Sequence, residues 1–415
     1  MTASTAPIVD DGAFTLAARV QAHIAVSILL CDVFLADDRM FLPYRPAMDL
    51  ALVALAFGLL LPMLGRAVIE IWPLLFVGWC GISYVWSIDQ FATQRQIVFT
   101  MPVLVVLLMA GSALGLRETL VALRRATVVV SVLTLLYLLA YRGAAWTPAL
   151  DGAVGLRGPF GHKNGCGFFF AMVATVWFDR RSTTAGRAML TVGCLGVLLS
   201  QSSTALVLLI GGLLGLAILR RHFGQAAGRR ATSSLIAVMG SAGLTLALVQ
   251  YLDVMTALIG RDVTLTGRVD IWAAVVPRVR EHLALGVGFG APWVNITTFN
   301  APMFREIGFR PFHAHNGYLD TVLQIGVVGL VLLLGLWWIA LRRCVRAANG
   351  GRPEAILVMV MLVLLLISGA SETAPLLGAG LALVGLFGGA AARINAPAPP
   401  SAGSVIRPVA PAIQR

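Results

Sequence analysis

Along most of this chain the apolar residues fall in repeated blocks of roughly 17–22, the length at which an α-helix crosses a ~30 Å hydrocarbon core. No other feature narrows the possible folds as far. A transmembrane barrel would show alternating segments of ~10 residues instead. Of 415 residues, 58% are hydrophobic and 12% charged, whereas soluble domains are roughly 45–50% apolar and about 25% charged. A water-soluble globule cannot cover so much apolar surface, so soluble enzymes and disordered proteins are excluded. The expected fold class is an all-α polytopic membrane protein.

The blocks resolve into twelve expected spans, near 17–36, 47–64, 68–86, 97–115, 126–141, 164–178, 188–200, 203–219, 234–252, 316–340, 354–370 and 375–392. The pair flanking Ser200 also reads as a broken or re-entrant helix. The expected organisation is a cytoplasmic tail over 1–16, transmembrane helices 1–9 over 17–252, and a periplasmic loop over 253–315. Helices 10–12 follow over 316–392, then a tail over 393–415 whose Pro, Ala and Ser content reads as disordered. The first residues carry Asp10 and Asp11 and no basic stretch, unlike a cleavable signal peptide.

A net charge of +12 could point to nucleic acid, but its placement argues otherwise. All the basic residues except Lys163 are arginine, and most stand in short loops between apolar blocks. One set of loops holds 15 of them: Arg66, Arg117, Arg124, Arg125, Arg180, Arg181, Arg187, Arg220, Arg221, Arg229, Arg230, Arg342, Arg343, Arg346 and Arg352. The opposite short loops hold six: Arg39, Arg45, Arg95, Arg142, Arg157 and Lys163. The positive-inside bias then places both termini in the cytoplasm. No nucleic-acid partner is expected. The five cysteines are scattered and lack CxxC spacing, so neither a disulfide framework nor a zinc site is indicated.

The segment 253–315 is far longer than its neighbours, and loops of that size usually carry function. Within it Thr266 to His282 reads as a helix capped by Thr266, with Val269, Trp272, Val276 and Val279 on one face and a kink at Pro277. The run Gly286, Gly288 and Gly290 lacks a preceding strand and is read as a turn or a close packing contact, not a dinucleotide fingerprint.

Three polar clusters lie on the outward side. In the first, Arg157, His162, Lys163 and Asn164 stand at a membrane boundary. Snorkelling explains such residues in general, but positive charge on this side opposes the topology rule, and an anionic ligand would account for it. The second, Thr266 to Trp272, sets Arg268 in the first turn of the loop helix, where free N–H groups also favour an anion. The third is His313, His315 and Asn316, directly before the tenth span. Two histidines at i, i+2 without cysteine or HExxH spacing argue against a metal. A general base is the favoured reading there, kept neutral by nearby arginines. His313, two residues away, is expected to face elsewhere.

The segments Arg157-Gly-Pro-Phe-Gly-His-Lys-Asn164, Leu265-Thr-Gly-Arg-Val-Asp-Ile-Trp272 and His313-Ala-His-Asn316 resemble the O-antigen ligase and polymerase superfamily. So does His315-Asn316 followed nine residues on by Gly326-Val-Val-Gly329. Tyr84 to Asp89, Ser200 to Thr204 and Ser371-Glu372 are similar to further family positions, and His162-Lys163-Asn164 is most similar to the exopolysaccharide polymerase branch. At Thr204 many relatives carry arginine, so no phosphate contact is assigned there.

The resemblance implies metal-independent, inverting transfer of a glycan from undecaprenyl diphosphate to an acceptor sugar hydroxyl, at the periplasmic face of a bacterial inner membrane. No cofactor is implied. The implied partners are the lipid-linked oligosaccharide, the acceptor glycan, the bilayer and a chain-length regulator. His315 would be the base; Arg157, Arg268, Lys163 and His162 would hold the diphosphate; Asn164, Trp272, His313, Asn316 and Glu372 would support them. Polymerisation of repeat units is favoured over ligation to lipid A–core.

Two rivals come from other mechanisms. A metal-dependent transferase would use Asp37-Asp38, but Arg39 follows directly and a solvated loop is the simpler reading. A transporter or flippase would place ionisable groups at mid-membrane, whereas the span centres here are Leu, Val, Ala and Gly. An intramembrane serine protease lacks its GxSG run.

Overall fold

The computed structural model describes residues 16–35, 45–68, 70–148, 154–224 and 268–393. The ninth expected span, Asp37-Asp38, the Thr266 cap and both tails lie outside the described residues. The rest is all-α except for one hairpin. The helices are α1 (Leu16–Phe34), α2 (Arg45–Leu60), α3 (Ile71–Ile82), α4 (Gln90–Ala140), α5 (Lys163–Trp177), α6 (Thr184–Ser200), α7 (Ser203–Phe223), α8 (Arg268–Glu281), α9 (Ala291–Val294), α10 (Asn300–Ile307), α11 (Gly317–Asn349), α12 (Pro353–Ser368), α13 (Ala374–Leu377) and α14 (Ala379–Ala392). Strands β1 (Trp146–Pro148) and β2 (Val154–Leu156) pair antiparallel between α4 and α5. Among the described residues six helical segments are long and apolar enough to cross a membrane, and three shorter apolar ones accompany them.

Two faces organise the bundle. At one, Glu372 meets Asn164 and Arg268. At the other, Asp179 meets Arg124 and Arg220, Glu70 meets Arg343, and Arg393 donates to the carbonyl of Ala113. α4 is a hairpin in disguise, because Gly115 (φ 74°, ψ 175°) interrupts its helical geometry. Its first rod leaves the Glu372 side near Gln96 and reaches the other face at Ser112; its second returns until Thr134 packs on Gly158. The break falls at the end of the fourth expected span, and the fifth expected span lies along the second rod. The pair around Ser200 is likewise two full rods: Ser200 packs on Gly167 near the Glu372 face, while Arg220 reaches Asp179.

The tightest seam joins α14 to the first rod of α4. A Cβ on Gly111 would lie 2.0 Å from the Leu386 carbonyl oxygen, and one on Gly389 2.0 Å from that of Leu108. In lipid, where apolar side chains gain little by leaving the solvent, such small residues let backbones approach and gain dispersion contacts.

The tenth expected span needs a correction. Gly326 (φ +70°) breaks α11, and a Cβ there would meet the Ala284 carbonyl oxygen at 2.0 Å. Residues 317–325 belong to the loop layer: the carbonyls of Leu323 and Gln324 accept from the N–H groups of Val287 and Gly288, both at 2.9 Å. Beyond the bend, 327–349 runs antiparallel to α3, with Trp72 Nε1 donating to Leu332 O, while Trp79 Nε1 reaches Ile325 O just before the bend. At 1.5 Å per residue that rod is about 34 Å long. The Gly326-Gly329 pair is therefore the bend between loop layer and crossing rod.

The loop layer has a small core of its own, including Ile271, Val275, Val287, Trp293, Met303 and Leu323. Its glycine run is the tight contact expected from sequence: Gly288 (φ +111°) leaves no room for a Cβ, which would fall 2.3 Å from Ser87 Oγ. The turn Tyr84–Asp89 receives the loop, since Ile88 N–H donates to Val287 O and Asp89 Oδ2 accepts from Asn295 Nδ2.

Candidate active site

Glu372, in the turn between α12 and α13, is the hub. Its Oε1 accepts from Arg268 Nη2 and from Asn164 Nδ2, each at 2.8 Å, and its Oε2 accepts from His315 Nδ1 at 3.2 Å. These partners come from the start of α8, the first turn of α5 and the loop ahead of α11. Burial by itself would raise the carboxyl pKa. The His315 hydrogen bond and the Arg268 charge outweigh it and hold the group down to about 2. Glu372 is thus a fixed anion at any physiological pH.

His315 has a left-handed backbone (φ +50°), uncommon outside glycine and a recurrent feature of functional turns. Neighbouring groups hold it there. Its N–H donates to His313 Nδ1, Ala314 O accepts from Trp272 Nε1, and Asn316 Oδ1 caps α11 through the N–H groups of Tyr318 and Leu319. The expectation that His313 faces away is overturned. The left-handed turn brings the two imidazoles to 4.1 Å, and burial lowers the His313 pKa to about 4. His315 is oriented by the Glu372 carboxylate. Donating Nδ1–H to Glu372 leaves Nε2 with its lone pair, the arrangement of a base oriented by a third group.

Asp320 lies beneath this layer, fully buried. It accepts from Trp293 Nε1, Gln324 Nε2, Thr373 Oγ1 and Ala314 N–H. It therefore ties the histidine loop to the turn carrying Glu372. Sequence reading passed over Asp320; the signal was present as a lone carboxylate inside an apolar span.

The hub opens on a cavity of about 260 Å³, lined by His162, Asn164, Thr204, His313, His315 and Glu372. His162 also caps α5, its Nδ1 accepting from Asn164 N–H, and burial lowers its pKa. A second cavity of about 300 Å³ adjoins it, sharing Gln96, Phe168 and Leu377 and adding Phe99, Phe169 and Leu381 beside Asp32, Asp49 and Arg95. Arg157, Arg268 and Lys163 stand outside both linings: Arg268 reaches the hub only through Glu372, Arg157 Nε donates to Ala144 O at the hairpin, and the Lys163 side chain packs on Gly155. Candidate donors on His313, His315 and Glu372 lie within 4.8 Å, close enough to hold a metal ion. Each of these residues already has a partner, and the Arg268 guanidinium balances the carboxylate as a cation would.

This arrangement falls largely within a stretch that has known relatives, since residues 188–334 match the O-antigen ligase family. The matched stretch contains Arg268, Trp272, His313, His315 and the Gly326–Gly329 bend, while Asn164 and Glu372 approach it from outside its limits. The chain is also 28% identical over 303 residues to the exopolysaccharide production protein ExoQ of Rhizobium meliloti, covering 67% of each chain. The family match and the similarity to ExoQ support a membrane glycosyltransferase of the polymerase or ligase type.

Proposed function

We propose that this chain lengthens a polysaccharide by inverting transfer of a glycan from undecaprenyl diphosphate to an acceptor sugar hydroxyl at the periplasmic face. The observation that carries the reading is the Arg268–Glu372–His315 chain of contacts beside a cavity that adjoins a second one. His315 Nε2 takes the proton of the acceptor hydroxyl as its oxygen bonds to the anomeric carbon. The bond from that carbon to the diphosphate oxygen breaks on the opposite side, and the leaving diphosphate carries away the electron pair. Glu372 stabilises the imidazolium that forms, as the carboxylate does in hydrolase triads. Arg268 gives one donor to Glu372 and offers the rest to phosphate oxygens. His162 lines the same cavity, and Arg157 and Lys163 add positive charge around its mouth. Phe99, Phe169 and Leu381 of the second cavity suit the polyprenyl tail, and His162, Asn164 and Glu372 of the first suit the sugar.

A second reading, ligation of the glycan to lipid A–core, draws on the O-antigen ligase match. Supplying lipid-linked donor with and without a lipid A–core acceptor separates the two, since only a polymerase forms ladders from donor alone.

We further propose twelve crossings with both termini in the cytoplasm, from the 15-to-6 distribution of loop charges. Reporter tags after Arg221 and at the C-terminus should then read as cytoplasmic, and a tag near Asn300 as periplasmic. A cytoplasmic signal near Asn300 would overturn both the orientation and the assignment of the site to the outer face.

A further inference from the structure

At the opposite end of the bundle, a cavity of about 550 Å³ opens between the second rod of α4, the α5–α6 turn, the end of α7 and the α11–α12 turn. α5 leads from the Glu372 hub toward it, and its 15 residues separate the two by about 22 Å. Arg117, Arg124, Arg180 and Arg220 line the cavity, against the carboxylates of Asp179 and Glu354. Arg124 and Arg220 share Asp179, and Arg124 Nε also donates to Val176 O. Among the described residues, neither Arg117 nor Arg180 has a side-chain hydrogen bond or ion pair. The lining therefore carries two positive charges more than its own acids balance. Four guanidiniums converging on a concave site repel one another unless an anion joins them, and the bidentate fork of arginine matches phosphate oxygens.

The geometry points to a phosphate-binding site in this cavity. Its ligand is a phosphate group of one or two negative charges, supplied either by an acidic lipid headgroup or by free phosphate. On the proposed topology this face is cytoplasmic, where basic pockets between helices meet anionic lipids.

The test uses the full chain purified in uncharged detergent. Inorganic phosphate is titrated calorimetrically, and retention of phosphatidylglycerol is counted by native mass spectrometry after exposure to phosphatidylcholine vesicles with or without phosphatidylglycerol. Saturable binding of either probe is expected: retained phosphatidylglycerol identifies a lipid source, and phosphate binding without lipid retention a soluble one. The double variant Arg117→Gln/Arg180→Gln should weaken binding roughly tenfold or more, as loss of charge-assisted contacts requires. Both residues are exposed and lack ion-pair partners, so the fold should survive. Arg221→Gln/Arg346→Gln makes the same charge change outside the cavity and should leave binding intact. Absence of saturable binding by both probes, or equal weakening by the two double variants, would overturn the proposal.

Discussion

Replacing His315 by alanine should reduce glycan transfer by a factor on the order of 10²–10⁴, the usual contribution of a positioned base. Insertion and folding should be retained, because α11 keeps its Asn316 cap and Trp272 grips the backbone of Ala314, not the His315 ring. Donor affinity should change little, since the role assigned to His315 is proton removal. His313→Ala should be milder, costing about tenfold through loss of one supporting hydrogen bond. Initial rates from a labelled lipid-linked donor, with binding measured separately, distinguish these outcomes. Near-normal turnover in His315→Ala would remove histidine from the centre of the mechanism.

Glu372→Gln should be nearly as damaging, for a reason specific to the geometry. The amide oxygen can still accept from Arg268 or Asn164, but its NH₂ would then face His315 Nδ1, which donates to Glu372 in the native protein. The imidazole would be driven to the tautomer protonated at Nε2, which cannot accept a proton from the acceptor. A loss on the order of 10²–10⁴ is expected, as when the orienting carboxylate of a triad becomes an amide. Stability should respond as well. With its pKa held at about 2 against a reference of 4.5, Glu372 contributes stability that is complete above the reference value and is lost as pH falls toward 2. Thermal melts of Glu372→Gln should therefore lack that part of the acid sensitivity. Arg268→Lys should lose more than tenfold in turnover, because an ammonium cannot hold Glu372 and two phosphate oxygens with one fixed fork. Full activity in Arg268→Lys would rule out bidentate recognition.

Much of this was legible in the sequence because membranes impose simple rules. Apolar length marks the long rods, and clusters of polar residues at their ends stand out against Leu and Val. Arg268, His315 and Asn164 could be picked out in this way, and Glu372 only through the family resemblance, although all four are dispersed along the chain. Their mutual arrangement could not. Glu372 is the hub only because a turn between α12 and α13 meets the starts of α5 and α8, and no local pattern encodes that meeting. The left-handed turn at His315 was also hidden: histidine carries no signature for it, and alternation along an extended strand predicts diverging rings. Hydropathy windows average over the single glycine at 326, so they run the loop layer and the crossing rod of α11 together. Asp320 escaped for the converse reason, as one carboxylate diluted by apolar neighbours.

The most direct measurement is to incubate the purified full chain with lipid-linked repeat units as sole substrate, in EDTA, and resolve the products by length. The account predicts a ladder of lengthened chains with inverted anomeric linkage, absent from a parallel reaction with His315→Ala. A donor that stays unextended, or extension that appears only when a divalent cation is restored, would contradict it.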